Sequence, residues 1–140
     1  YYETDYWDVL LHYNQAYLGY SILVLKKRRA HISDLSEEEW KSLHSLIKKL
    51  EHAYKQAFNA TMFNWTCLMN HAYKSNSPRP RVHFHMRPRY RNAVHIEETV
   101  FEDPEFAHHY NKHREHLVSV HMLRTIAEQV KKHLDNPLLT

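Results

Sequence analysis

From Arg81 to Tyr90 the chain reads Arg-Val-His-Phe-His-Met-Arg-Pro-Arg-Tyr, alternating apolar with functional side chains. A β-strand repeats its facing every two residues, so Val82, Phe84 and Met86 turn to one side and Arg81, His83, His85 and Arg87 to the other. With the apolar side on a core, the opposite side becomes a positively charged floor. It carries two imidazoles that titrate or attack near neutral pH. Such a floor suits phosphate.

The segments around this strand set its context. Tyr6 to His12 is aromatic and β-branched enough for a strand, Asn14 to Gly19 reads as a turn, and Ser21 to Leu25 is a short buried strand. Gly19 is the only glycine in the chain, which points to a positive φ or a close backbone approach there. Lys26 to Arg29 is expected to be a solvated basic loop. Ser36 with Glu39 forms a capping box, and Leu35 with Trp40 staples the entry of a helix that runs to about Phe58. Its stripe is Trp40, Leu43, Ile47, Leu50, Tyr54 and Ala57, with Asn59 as the stop. Thr61 to Met69 alternates as a strand with both faces largely covered. Ala72 to Pro80 is a turn-rich loop leading into the histidine strand. Ala93 to Ile96 is a weak strand, Asp103-Pro104 is a helix start, and a last helix spans about Ser119 to His133, with Leu123, Ile126, Val130 and Leu134 on one side. These elements give an α+β fold: an antiparallel sheet of about five strands, one long packed helix and a C-terminal helical extension.

Composition narrows the class. A chain of 140 residues, 43% hydrophobic and 13% aromatic, buries one core and leaves no room for a second domain. Residues 1–100 are expected to form the main body and 101–140 a helical extension of the same domain. The net charge of +3 does not demand a dedicated nucleic-acid binder. Most of the fourteen histidines fall in Lys/Arg-rich stretches and are expected to be solvated, His108, His109 and Tyr110 of the tail among the surface residues. The lone Cys67 excludes an internal disulfide and a cysteine-based zinc site and fits a reducing compartment. No apolar run reaches a membrane span, so a cytoplasmic protein without a membrane partner is the expectation.

Three chemistries compete for His83 and His85. Metal binding needs three or four protein ligands, and no Cys or His-Glu pairing supplies the rest at a recognisable spacing; neither a metal nor a cofactor is expected. A structural role has both rings hydrogen-bonded in a polar patch, against which the flanking arginines count. Nucleophilic catalysis has a neutral imidazole attack phosphorus, forming a phosphoramidate that water breaks, while positioned donors meet the charge on the phosphoryl oxygens.

Val82 to Tyr90, Val-His-Phe-His-Met-Arg-Pro-Arg-Tyr, resembles the signature of the histidine triad (HIT) superfamily, in which His-φ-His-φ-His-φ-φ is often followed by Pro-Arg-Tyr. Asn14 through Leu25 resembles that family's strand-turn-strand walling the base and ribose. His31 to Leu35 resembles the segment before its helix. Asn70 precedes His83 by the thirteen residues at which the family tends to keep a polar amide. The resemblance covers roughly residues 6–90. Arg81 stands at the first triad position in place of histidine, and Ser75 to Pro80 replaces the Gly-rich, Gln-Ser-containing segment of many relatives.

The resemblance implies a nucleotide hydrolase or transferase cleaving phosphorus-oxygen or phosphorus-nitrogen bonds through a covalent nucleotidyl-histidine, on dinucleoside polyphosphates or nucleoside phosphoramidates. His83 takes the nucleophile's position and His85 the phosphate and leaving-group side. Asn70, Arg81, Ser77, Arg87, His31 and Asn14 are the expected substrate-binding residues, Arg81 as a bidentate phosphate clamp and Ser77 as the replacement hydroxyl. A homodimer is implied. The alternative is a non-catalytic module of the same fold, binding nucleotides or RNA ends through Arg79, Arg81, Arg87, Arg89 and Arg91.

Overall fold

A computed structural model of the chain describes residues 1–134. Five antiparallel strands form the main sheet in the order β1-β2-β3-β5-β4: β1 (Tyr2–Glu3), β2 (Trp7–Leu11), β3 (Ser21–Leu25), β4 (Met62–Thr66) and β5 (His83–Arg89). A separate hairpin pairs β6 (Val94–Ile96) with β7 (Thr99–Phe101). Two helices complete the fold, α1 (Glu37–Phe58) and α2 (Val120–Leu134), and they pack on one another.

Register decides which side chains share a face. Val24 stands opposite His83, Ile22 opposite His85, Thr66 opposite His85 and Asn64 opposite Arg87, so these residues all lie on the histidine face. The other face carries Leu23, Leu25, Val82 and Met86. All four are buried in one hydrophobic cluster with Leu43, Leu46, Leu50 and Tyr54 of α1 and Ile126, Val130 and Leu134 of α2. Full burial of each such side chain contributes about 1.5–3 kcal/mol. The apolar half of the β5 alternation therefore fixes its polar half outward.

Helix α1 begins as its sequence demands. Ser36 Oγ accepts from the Glu39 amide at 3.2 Å, and the Glu39 carboxylate accepts from the Ser36 amide at 2.7 Å. Asn59 closes the helix in the left-handed region at φ 56°. The stripe is rotated from the expected one: Trp40 is 43% exposed, while Glu39 beside it is buried and paired with Arg29. The capping box turns Glu39 inward and thereby carries Trp40 to the solvent side. The basic loop also has structural ties, since Lys26 pairs with Glu3, Arg28 donates to the Arg79 carbonyl, and Arg29 pairs with Glu39.

Gly19 has φ 83°, and a β-carbon there would lie 2.1 Å from the Tyr54 ring. Both reasons for glycine thus hold at one position. The turn before it is organised by buried Gln15, which accepts from the Gly19 amide at 2.7 Å and donates to the carbonyls of His12 and Tyr20.

Two expectations fail. Strand β4 ends at Thr66, short of Met69, and lies at the sheet edge with all five residues only half-buried. No helix starts at Asp103. Residues 104–107 form a turn, and the chain runs on irregularly to Ser119. The reason is that the Asp103 carboxylate accepts from Arg89 Nε at 2.7 Å, Arg89 Nη2 at 3.0 Å and the Tyr90 amide at 3.2 Å. It is thereby engaged by an interior guanidinium instead of capping a helix. Helix α2 follows within a residue of expectation, with Ser119 Oγ accepting from the Met122 amide. Residues 135–140 of the expected helical extension lie outside the described residues.

Candidate active site

Along β5 the side chains on the histidine face run His83, His85, Arg87, Arg89, the last of them buried. His83 Nδ1 lies 2.8 Å from the backbone oxygen of Arg81. A carbonyl only accepts, so Nδ1 carries a proton, and the neutral tautomer that makes this bond has its lone pair on Nε2. His85 lies beside it, ring centroids 5.0 Å apart. Its Nδ1 is 2.8 Å from the Tyr20 hydroxyl. Burial pushes the Tyr20 phenol up, so the hydroxyl keeps its proton, and it donates to Nδ1 in the His85 tautomer that carries its own proton on Nε2. Burial first, then the Arg87 charge and the neighbouring His83 and His12, push His85 down to about 4. In that tautomer the pair is complementary, one imidazole offering a lone pair and the other an N–H.

Arg87 is held between two rings, its guanidinium carbon 4.0 Å from the Tyr20 centroid and 4.1 Å from that of Tyr110. Such stacking fixes the plane of the fork. Tyr20 is backed in turn by His12, stacked at 4.5 Å. Two buried polar atoms near the pair have no hydrogen-bond partner among the described residues, Thr66 Oγ1 and Arg87 Nη1. Two recesses flank the row. One of about 590 Å³ is walled by Tyr1–Glu3 and Asp8–Leu10 and reaches Val24 and Arg81, and one of about 570 Å³ lies between β4 and residues 107–110.

The other expected site residues are placed as follows. Arg81 donates from Nε and Nη2 to the Leu25 carbonyl and from Nη2 to that of Lys26, so its fork already grips backbone. Asn14 ties down the far end of the chain: its Nδ2 donates to the Arg114 carbonyl, and its Oδ1 accepts from the His116 amide. Asn70 and Ser77 are exposed on the segment between β4 and β5, and His31 is exposed at the start of a short turn before α1. The structure brings His83, His85 and Arg87 together. It gathers with them Tyr20, Thr66 and Tyr110, which sequence reasoning missed. Thr66 carried a signal through the alternation of β4, and Tyr20 lay within the Asn14 to Leu25 segment whose resemblance put it beside the nucleotide. Tyr110 was expected at the surface and instead covers Arg87, while His108 and His109 are exposed as expected. Among the described residues, no three His, Cys, Asp or Glu side chains gather to hold a metal ion.

Arg89 is wholly interior. Besides Asp103, it donates to Asn64 Oδ1 at 2.8 Å and to the carbonyls of His108 and Glu105 at 2.9 and 2.6 Å. This clasp holds residues 103–110 across the open face and places Tyr110 on Arg87.

No protein-family model and no curated protein matches the sequence. Solved structures do. A histidine triad protein from Bradyrhizobium japonicum matches with a TM-score of 0.69 at 16% identity, over 94% of this chain and 87% of that one. A hypothetical histidine triad nucleotide-binding protein from Sulfolobus tokodaii gives 0.63 at 16% identity, over 96% and 82%. A Hit-like protein involved in cell-cycle regulation from Bartonella henselae gives 0.61 at 20% identity, over 95% and 84%. The likeness spans both helices and the sheet, and the chain has the α+β fold of histidine triad proteins.

Proposed function

We propose that the chain is a nucleotidyl hydrolase or transferase acting on dinucleoside polyphosphates or nucleoside phosphoramidates. The observation that carries this reading is the bond between His83 Nδ1 and the Arg81 carbonyl, 2.8 Å long, which leaves the lone pair on Nε2. In the first step Nε2 attacks the α-phosphorus, the bond from phosphorus to the leaving group breaks with its electron pair going to the leaving group, which departs as a phosphate anion or, from a phosphoramidate, as an amine that takes a proton from water, and the ring becomes a nucleotidylated cation. The Arg81 carbonyl dipole stabilises that positive charge through Nδ1–H. In the second step water attacks phosphorus, the P–N bond breaks, and a nucleoside monophosphate and a proton are released while His83 returns neutral. His85 donates from Nε2 to the phosphoryl oxygens, and Arg87 adds positive charge beside it.

Arg81 takes the first triad position in this reading, and what that position contributes is its backbone oxygen, which any residue there supplies. Asn70, Ser77 and His31 remain candidates for holding the nucleotide from the loops at the entrance to β5. The half-exposed edge strand β4 has no proline or lysine to discourage strand pairing, so we place a homodimer contact there, testable by sedimentation. The binding-module alternative loses support, because of its five arginines Arg89 is interior, Arg81 grips backbone and Arg87 is stacked.

The test is to incubate the protein with α-labelled diadenosine polyphosphate or adenosine phosphoramidate, quench, and look for acid-labile label on the protein. Label is expected on the native chain and absent from His83→Ala. Retained turnover in His83→Ala sinks the assignment.

A further inference from the structure

We propose that Tyr20 is a positioning residue that holds His85 as a neutral donor with its proton on Nε2, and that the site is thereby fitted to leaving groups that depart as anions. The bond it cleaves is then a phosphoanhydride, as in dinucleoside polyphosphates, in preference to the P–N bond of a phosphoramidate. This choice between substrate classes rests on the nucleotidyl-transfer reading above.

Tyr20 is 9% exposed, and its hydroxyl has no hydrogen-bond partner among the described residues other than His85 Nδ1, at 2.8 Å. With the His85 proton on Nδ1, the hydroxyl would have to accept, and its own proton would be left in a nearly buried place without an acceptor. Orphaned buried donors are rare, because they lose water and gain nothing in exchange. With the proton on Nε2, the hydroxyl donates to the Nδ1 lone pair and both groups are satisfied.

The ring that carries the hydroxyl is held in place. It is stacked on His12, with centroids 4.5 Å apart and planes 23° apart, and the Arg87 guanidinium carbon lies 4.0 Å from its centroid. His12 is itself tied, since its Nδ1 accepts from the Asn14 amide at 3.1 Å. Tyr110 packs on the same guanidinium at 4.1 Å. Burial, and after it the Arg87 charge, push His85 down to about 4, so near neutral pH the ring is not an imidazolium.

The consequence falls on the leaving group. When the P–O bond of a phosphoanhydride breaks, the electron pair stays on oxygen and the phosphate departs as a stable anion, which needs charge and hydrogen bonds but no proton. His85 Nε2–H and Arg87 supply these. When a P–N bond breaks, the nitrogen must gain a proton, because an amide ion is far too basic to leave. A neutral imidazole holds its N–H too tightly to act as that acid, and the Nδ1 proton of His83 is engaged by the Arg81 carbonyl. Water has to provide the proton.

The experiment uses the full chain, nitrogen-15-labelled at histidine, and its Tyr20→Phe variant, which keeps the ring and removes only the hydroxyl. Two-bond proton–nitrogen correlation spectra at neutral pH are expected to show His85 as the Nε2–H tautomer in the native chain and as a mixture of tautomers in Tyr20→Phe. Steady-state kinetics are measured beside them with a diadenosine polyphosphate and with adenosine phosphoramidate. The native chain should prefer the polyphosphate by about a hundredfold in kcat/KM, the low end of what a general acid contributes. Tyr20→Phe should lower kcat on the polyphosphate about fivefold, the worth of one hydrogen bond, with KM changed by less than about twofold. It should also narrow the preference, since Nδ1 is then free to take up a proton. An Nδ1–H tautomer in the native chain, or the same tautomer with and without the hydroxyl, overturns the positioning role. Equal or faster turnover of the phosphoramidate by the native chain overturns the leaving-group preference. A native chain labelled by neither substrate fails the nucleotidyl-transfer reading and the substrate preference with it, and the spectra alone then decide the role of Tyr20 at His85.

Discussion

Replacing Asp103 with alanine tests the clasp that organises the open face. Arg89 and Asp103 are almost completely buried, at 0% and 1% side-chain exposure, and joined by two hydrogen bonds of 2.7 and 3.0 Å. Alanine removes both bonds, the acceptor of the Tyr90 amide and the only carboxylate paired with this guanidinium among the described residues. Breaking a buried pair from one side costs about 3–5 kcal/mol, because the remaining charge is left uncompensated. Against a total stability of about 5–15 kcal/mol, this is a large fraction, equivalent to a fall of about 10–20 °C in Tm. The assay is urea and thermal unfolding of Asp103→Ala beside the native chain and the double variant Arg89→Met/Asp103→Leu. The double variant is expected to be more stable than Asp103→Ala, since it removes the orphaned charge along with its partner. A loss below about 1 kcal/mol in Asp103→Ala, or a double variant no more stable than Asp103→Ala, refutes the reasoning.

Further outcomes follow from other positions. Gly19→Ala meets both a left-handed φ and the Tyr54 ring; the loss should be about 2–5 kcal/mol in urea unfolding, and a neutral result counts against the turn as described. Thr66→Val removes an unpartnered buried hydroxyl that costs about 1–3 kcal/mol, so the unliganded chain should melt at the same temperature or higher; a lower Tm shows that the hydroxyl has a partner. His85 is pushed down to about 4 mainly by burial, with Arg87 the next cause. The unfolded chain takes up that proton from about pH 6.5 downward while the folded one refuses it. This group's contribution to stability is therefore full above about pH 6.5 and is lost as pH falls toward 4. Arg87→Gln should raise the His85 pKa in an NMR titration; an unchanged or lower value removes Arg87 from the site's electrostatics.

What the sequence made legible was local. The β5 alternation, the Ser36 and Glu39 capping box, and the demands on Gly19 each depend on residues close in the chain and a single periodicity, and each holds in the fold. Asp103-Pro104 misled because the helix-start pattern is local, whereas the partner that claims the carboxylate, Arg89, arrives from another strand. Tyr110 was misjudged for the same reason, and the structural contacts of Asn14 went unseen because they too join distant parts of the chain. For Arg81 the residue type suggested a phosphate clamp, but side-chain direction depends on where the β3 carbonyls lie, and composition holds no trace of that.

The Arg89 clasp also bears on how the chain is made. Strands β1 to β5 emerge from synthesis before Asp103 does, so a growing chain passes through a stage in which the sheet is present but its interior guanidinium lacks a counter-ion. The histidine face then has no Tyr110 across it, and Asn14 still awaits residues 114 and 116. Pairings this remote in sequence close late, which makes completion of the open face one of the last events of folding. A nick anywhere between residues 104 and 117 would leave the strands paired and the nucleophile in place, yet would loosen the cover over Arg87. Limited proteolysis should accordingly uncouple loss of the Tyr110 cover from loss of the sheet.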